Sequence, residues 1–191
     1  MLDQVLWFAT RGAGAVSLLM LTASACLGLV TVTRFEAAGW PRFFNYELHR
    51  RISLLSITFL AVHVLAAVLD PFTSLGLGAA LVPLASSYRP VPVALGVIAV
   101  YLFVALIASS LLRRHVGRST WRAIHWTSYA MWPMALLHGI TAGTDTFTPW
   151  MLGIDLVCVA AVALSLAWRI LPRGTIATAG TPTRLSSGNG G

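Results

Sequence analysis

Four histidines form two pairs in otherwise apolar sequence. His49 and His63 stand in NYELHRRISLLSITFLAVHVL, and His125 and His138 in WRAIHWTSYAMWPMALLHGI. Ionisable side chains are expensive in lipid and mark functional sites there. A neutral imidazole nitrogen is a good ligand for transition metals. If each stretch is helical, a rise of about 1.5 Å per residue separates His49 from His63 by about 21 Å and His125 from His138 by about 20 Å. Two helices running in the same direction then give two levels, His49 with His125 and His63 with His138. Two opposed imidazoles fill both axial positions of a heme iron, and an iron with no open position favours electron transfer over oxygen activation. A heme between the helices of a bundle is a common arrangement. The fifth histidine, His115 in RRHVGRST, reads as a solvated residue of a basic loop.

The elements that must carry these residues follow from composition. The 191 residues are 57% hydrophobic and 10% charged, and the mean hydropathy is +0.79, well above a soluble domain. Uncharged runs give five spans: Gly12 to Thr33, Ile52 to Leu69 (starting a turn earlier, near Glu47), Pro90 to Leu112, Ala123 to Thr144, and Thr146 to Trp168 interrupted by Asp155. Each approaches the roughly 20 residues a helix needs to cross about 30 Å of hydrocarbon. Pro71 to Tyr88 is also uncharged, but its apolar heart is short and holds Gly76, Gly78 and Pro83. It reads as an interfacial or re-entrant segment. The first run lacks a basic flank and is too long for the core of a cleaved signal peptide.

All 13 basic residues are arginine, and the net charge is +7. In so apolar a chain this charge points to membrane topology and not to nucleic acid. Arg34, Arg42, Arg50 and Arg51, then Arg113, Arg114, Arg118 and Arg122, then Arg169, Arg173 and Arg184 all fall on one side of five spans. Only Arg11 and Arg89 fall on the other. The positive-inside rule puts the N-terminus outside and the C-terminus in the cytoplasm of a multi-pass cell-membrane protein. Cys26 and Cys158 lie in apolar runs, which argues against a disulfide framework or a zinc site. The expectation is all-α: a polytopic transmembrane bundle of five spans over residues 1–171, with heme sites between spans two and four. A disordered cytoplasmic tail, rich in Gly, Thr, Ser and Pro, follows at 172–191.

Helical geometry treats the two pairs differently. Fourteen residues at about 100° each return to within about 40° of the start, so His49 and His63 share a face. Thirteen residues leave about 140° between His125 and His138. Pro133 lies between them, and a proline kink there would turn His138 back toward its partner.

At these residues the chain resembles the ferric reductase-like transmembrane domain family. That family includes the membrane domains of NADPH oxidases and ferric reductases, and the heme-binding membrane subunit of the bacterial periplasmic methionine sulfoxide reductase system. LHRRISLLSITFLAVH places thirteen residues between its histidines, and HWTSYAMWPMALLH twelve, as the family's two histidine helices do. TRGAGAVSLLMLTASACLGL is similar to its first helix. The likeness runs from Arg11 to Trp168. It implies that His49, His63, His125 and His138 are axial ligands of two b-type hemes, and that electrons move from the cytoplasmic side outward. Many members have six helices, against five here. The oxidases and ferric reductases add FAD and NADPH domains, whereas this sequence has no glycine-rich dinucleotide fingerprint. The expectation is therefore an electron-transfer subunit without a flavin or nicotinamide domain of its own. Its donor would be a cytoplasmic flavoprotein or a membrane quinol. Its acceptor would be an extracytoplasmic oxidoreductase, ferric iron or oxygen.

Arginine binds carboxylates well, so Arg50, Arg51 and Arg122 are candidates for the propionates of the inner heme, or for donor contact. Arg11 and Arg89, on the side where the charge rule disfavours arginine, are candidates for those of the outer heme. Phe59, Trp126 and Trp132 are candidates to pack on porphyrin. Asp155 would pair with an arginine, relay a proton or reach the interface, in a helix capped by Thr148 and opened by Pro149. Two other classes compete: a membrane anchor or assembly subunit without redox work, and a histidine-lined metal transporter. The second expects acidic residues in the spans, and only Asp155 qualifies.

Overall fold

Inside lipid a backbone must satisfy its own hydrogen bonds, and helices do so. The computed structural model describes residues 1–32 and 42–171, and its apolar runs are helical. The elements are α1 (Leu2–Val32), α2 (Arg42–Leu69), α3 (Gly76–Leu81), α4 (Pro90–Leu111), α5 (Arg113–Val116), α6 (Arg118–Trp126), α7 (Ser128–Ala142) and α8 (Pro149–Ile170). The expected tail at 172–191, with Arg173 and Arg184, lies outside the described residues, as does Arg34.

Among the described residues α1, α2, α4 and α8 are long and apolar enough to cross a membrane. Helix α1 begins at Leu2, ten residues before the expected start, and so runs through Arg11. Within Pro71–Tyr88 the only helix is the six-residue α3, far too short to span. The path of the expected fourth span, Ala123–Thr144, is shared between α6 and α7. Alone, the 15 residues of α7 rise about 22 Å.

The break falls at Thr127 and not at Pro133, which sits inside an uninterrupted α7. Thr127 directs both its N–H (3.0 Å) and its hydroxyl (2.7 Å) at the carbonyl of Ile124. A threonine hydroxyl that competes for a helix carbonyl favours a helix end. The interruption comes two residues after His125, so α6 and α7 can aim their histidines separately.

Helices α1 and α2 pack along most of their lengths, α4 packs on α7, and α1 also touches α7 and α8. Thr10 of α1 meets His63 of α2 while Ser24 meets His49, so this pair is antiparallel. Arg89 meets Thr141 while Pro92 meets His138, so α4 and α7 are antiparallel too. Small residues, Ala13, Ala15, Ala66, Ala94 and Ala99, are buried, as close helix packing in lipid requires. Large apolar side chains such as Leu65, Leu111, Leu156 and Leu164 face outward. That surface suits lipid and would be a liability in water.

The ends of the bundle differ. One gathers the start of α2, the α5–α6 region and the end of α8, with Arg50, Arg51, Arg113, Arg114, Arg118, Arg122 and Arg169. The other carries Arg11 and Arg89. Midway between them Leu21, Ala99, Phe103, Leu106 and Met131 form an apolar cluster, with Leu60 of α2 packed against it. Because Phe103 is the largest side chain buried there, Phe103→Ala is expected to destabilise the bundle by about 3–5 kcal/mol. Unfolding in detergent checks this; an unchanged midpoint would remove Phe103 from the core.

Candidate functional site

The four paired histidines meet as two couples. The ring centres of His49 and His125 lie 6.2 Å apart with planes at 71°. Those of His63 and His138 lie 6.1 Å apart at 80°. A metal–imidazole bond is about 2.0–2.1 Å, and a ring nitrogen lies about 1.1 Å from its ring centre. Two imidazoles ligating one metal from opposite sides therefore have centres about 6.3 Å apart. Both couples match that separation, and α2 is not among the helices packed closely on α6 or α7.

Three of the imidazoles are held by one repeated device. His63 Nδ1 lies 2.8 Å from the Thr10 carbonyl, His49 Nδ1 2.9 Å from that of Ser24, and His138 Nδ1 2.8 Å from that of Pro92. A carbonyl only accepts, so each Nδ1 carries the hydrogen and each Nε2 keeps its lone pair for a metal. Each carbonyl stands four residues before a glycine: Gly14, Gly28 and Gly96. The glycine is the residue that would carry a side chain across that carbonyl. A Cβ on Gly96 would lie 2.7 Å from His138, and one on Gly14 2.9 Å from His63. On Gly28 it would clear His49 at 3.6 Å. The glycines make notches in α1 and α4 where the imidazoles reach the second lone pair of an already bonded carbonyl.

His49 has further support. The Ser24 hydroxyl lies 3.2 Å from its Nδ1 and 2.7 Å from the Ser53 hydroxyl, which donates to the His49 carbonyl at 2.8 Å. His125 is held otherwise. Its ring stacks on Trp121 at 4.9 Å, and the Arg113 guanidinium lies 4.2 Å from the Trp121 ring.

The arginines divide. Arg11 binds Asp145 at 3.1 Å and Thr144 at 2.8 Å. Arg89 donates to the carbonyls of Thr141 (2.6 Å) and Gly143 (3.2 Å). Both thus fasten the end of α7, one turn beyond His138, where exposed carbonyls favour a cation. Arg50 and Arg51 are exposed and pair with Glu47 on their own helix, and Arg122 is exposed. Trp132 is a core residue that donates to Thr22, Trp126 is exposed and Phe59 is half-buried. Asp155 is buried, and neither carboxyl oxygen has a partner among the described residues. It pairs with no arginine among the described residues. Pro149 opens α8 as expected, but the Thr148 hydroxyl goes to the Asp145 carbonyl and not to a helix N–H.

No three of His, Cys, Asp and Glu come together to hold a metal among the described residues. Each level thus offers a metal two protein ligands, which fits an ion that brings its other ligands in a macrocycle.

The fold defines a multi-pass helical membrane bundle. A family model, the ferric reductase like transmembrane component, matches residues 13–141, and the chain belongs to that family. Such membrane domains generally bind heme and serve as redox electron-transfer components. No curated protein and no solved structure matches the chain.

Sequence reading found the histidines and missed the notches. The signal was present, because Gly14 and Gly28 are spaced as His63 and His49 are. The notches predict a ranking for glycine-to-alanine variants. Heme content of the purified protein should fall most for Gly96→Ala, less for Gly14→Ala and least for Gly28→Ala. Gly12, with open space around it, is the control. Equal loss in all four would break the link between notch and ligand.

Proposed function

We propose that this chain is an integral membrane b-type cytochrome that passes electrons across the cytoplasmic membrane through two bis-histidine hemes. His49 and His125 would hold the heme at the arginine-rich, cytoplasmic end, and His63 and His138 the heme at the outer end. The observation that carries the reading is the 6.1–6.2 Å separation of ring centres in both couples, with three Nδ1 atoms committed to carbonyls.

When bound, each heme supplies an iron that gains and loses one electron without changing its ligands. The chain does the rest. The Nδ1–H···O=C bonds fix the tautomer, aim Nε2 and raise its basicity. The Leu21, Phe103 and Met131 layer excludes water between the levels. Arg50, Arg51 and Arg122 remain candidates to meet a propionate or an electron donor, and the exposed pairs with Glu47 are weak enough to give way. Arg11 and Arg89 remain candidates for the outer propionates, and their bonds to the end of α7 also keep His138 in place. The donor is a cytoplasmic flavoprotein or a quinol, and the acceptor an extracytoplasmic oxidoreductase, ferric iron or oxygen. The clustering of seven arginines at one end supports this orientation.

A reduced-minus-oxidised spectrum with a heme assay tests the proposal. Low-spin b-type bands and about two hemes per chain are expected. Replacing both His63 and His138 with alanine should leave about one. A heme-free protein that still supports its partner's activity would point to an anchor or assembly subunit instead.

A further inference from the structure

Three histidines share one device, and the fourth lacks it. In α1 the two notches repeat every fourteen residues, Thr10 with Gly14 and Ser24 with Gly28. The same step along α4 leads from Pro92 and Gly96 to Leu106 and Ser110. That fourth notch is already filled. The Leu106 carbonyl accepts the Ser109 hydroxyl at 3.1 Å. The glycine position holds Ser110, whose hydroxyl accepts the Trp121 indole N–H at 3.3 Å. His125 Nδ1 is buried and has no hydrogen-bond partner among the described residues. Among the described residues the ring is stacked on Trp121, itself backed by Arg113, and meets His49 edge-on.

A hydrogen bond to the outer nitrogen orients a ligating histidine and raises its basicity, and its loss typically weakens metal binding about 10- to 100-fold. Resting on the two-heme reading, we infer that His125 is the exchangeable ligand of the four, and that the iron at the arginine-rich end is open to small neutral diatomic ligands such as carbon monoxide. The exchange is a substitution. Neutral His125 would leave the iron, and carbon monoxide would take its place through its own lone pair. No electron or proton changes hands. His49, tied to Ser24 and braced by Ser53, stays as the remaining ligand. Trp121 is a positioning residue in this account.

The test uses the full chain in detergent, reduced with dithionite and titrated with carbon monoxide. Uptake approaching one carbon monoxide per two hemes is expected. Trp121→Ala should speed uptake roughly three- to tenfold, the worth of one aromatic stack. His125→Ala should lose less heme than His49→Ala and turn one heme high-spin, whereas His49→Ala should lose about half of its heme. Two low-spin hemes that take up no carbon monoxide, or equal heme loss in His125→Ala and His49→Ala, would overturn this inference alone. Absence of low-spin heme from the wild-type protein would overturn the two-heme reading with it.

Discussion

An imidazole inside lipid is oriented, and its inner nitrogen made more basic, when its outer nitrogen has an acceptor. In this bundle three of the four paired histidines have one, from helix carbonyls that already hold their own N–H. The second lone pair is free, but an ordinary side chain four residues later would stand in the way. Gly14 and Gly96 remove the obstruction, while at Gly28 a Cβ would clear His49. The consequence reaches beyond the histidines, because a notch works only in one register. Thr10 opposite His63 and Ser24 opposite His49 fix how α2 lies along α1. Pro92 opposite His138 fixes how α7 lies along α4. Two antiparallel pairs then stand side by side with their histidines facing inward.

The same constraint explains why polar groups are spent sparingly elsewhere. The ends of α7 and α4 are joined by arginine–carbonyl bonds, and the Arg11–Asp145 pair keeps its charges near an interface. Between the ends most helix contacts are alanine and leucine, and hydroxyls such as Ser56 and Ser165 bond back to their own helix, while Ser24–Ser53 and Trp132–Thr22 cross between helices. Back-bonding of that kind satisfies a hydroxyl without asking anything of a neighbouring helix. Asp155 departs from the pattern: it is buried with both oxygens unpartnered, and nothing in its surroundings explains it.

Much of the architecture was legible because lipid imposes a length and forbids charge. The spans over α2, α4 and α8 follow from uncharged runs, and Gly76, Gly78 and Pro83 marked the short segment around α3. The start of α1 did not follow, because Arg11 looked like a boundary. In fact the helix continues through it, and the guanidinium leaves sideways to Asp145 and Thr144. That contact lies more than 130 residues away in sequence, so no local rule reports it. The break in the second histidine path was sought at Pro133 because proline is the strongest helix breaker. A proline removes one N–H and can still ride inside a helix whose neighbours hold it, as α7 does against α4. Thr127 looked innocuous, yet its hydroxyl and N–H converge on one carbonyl and close the preceding helix.

The thirteen-residue spacing of His125 and His138 now has a physical reading. A fourteen-residue spacing in one unbroken helix, as in α2, lets a second antiparallel helix present two notches in one register. A spacing shorter by one residue and interrupted at Thr127 cannot serve both. Helix α4 keeps the register at Pro92 and Gly96. At the other end it has filled the equivalent carbonyl with Ser109 and given Ser110 to Trp121. The missing residue, the helix break and the indole stack are therefore one adjustment. It is confined to the end where the arginines gather, while the histidines at the opposite end are both locked to the backbone.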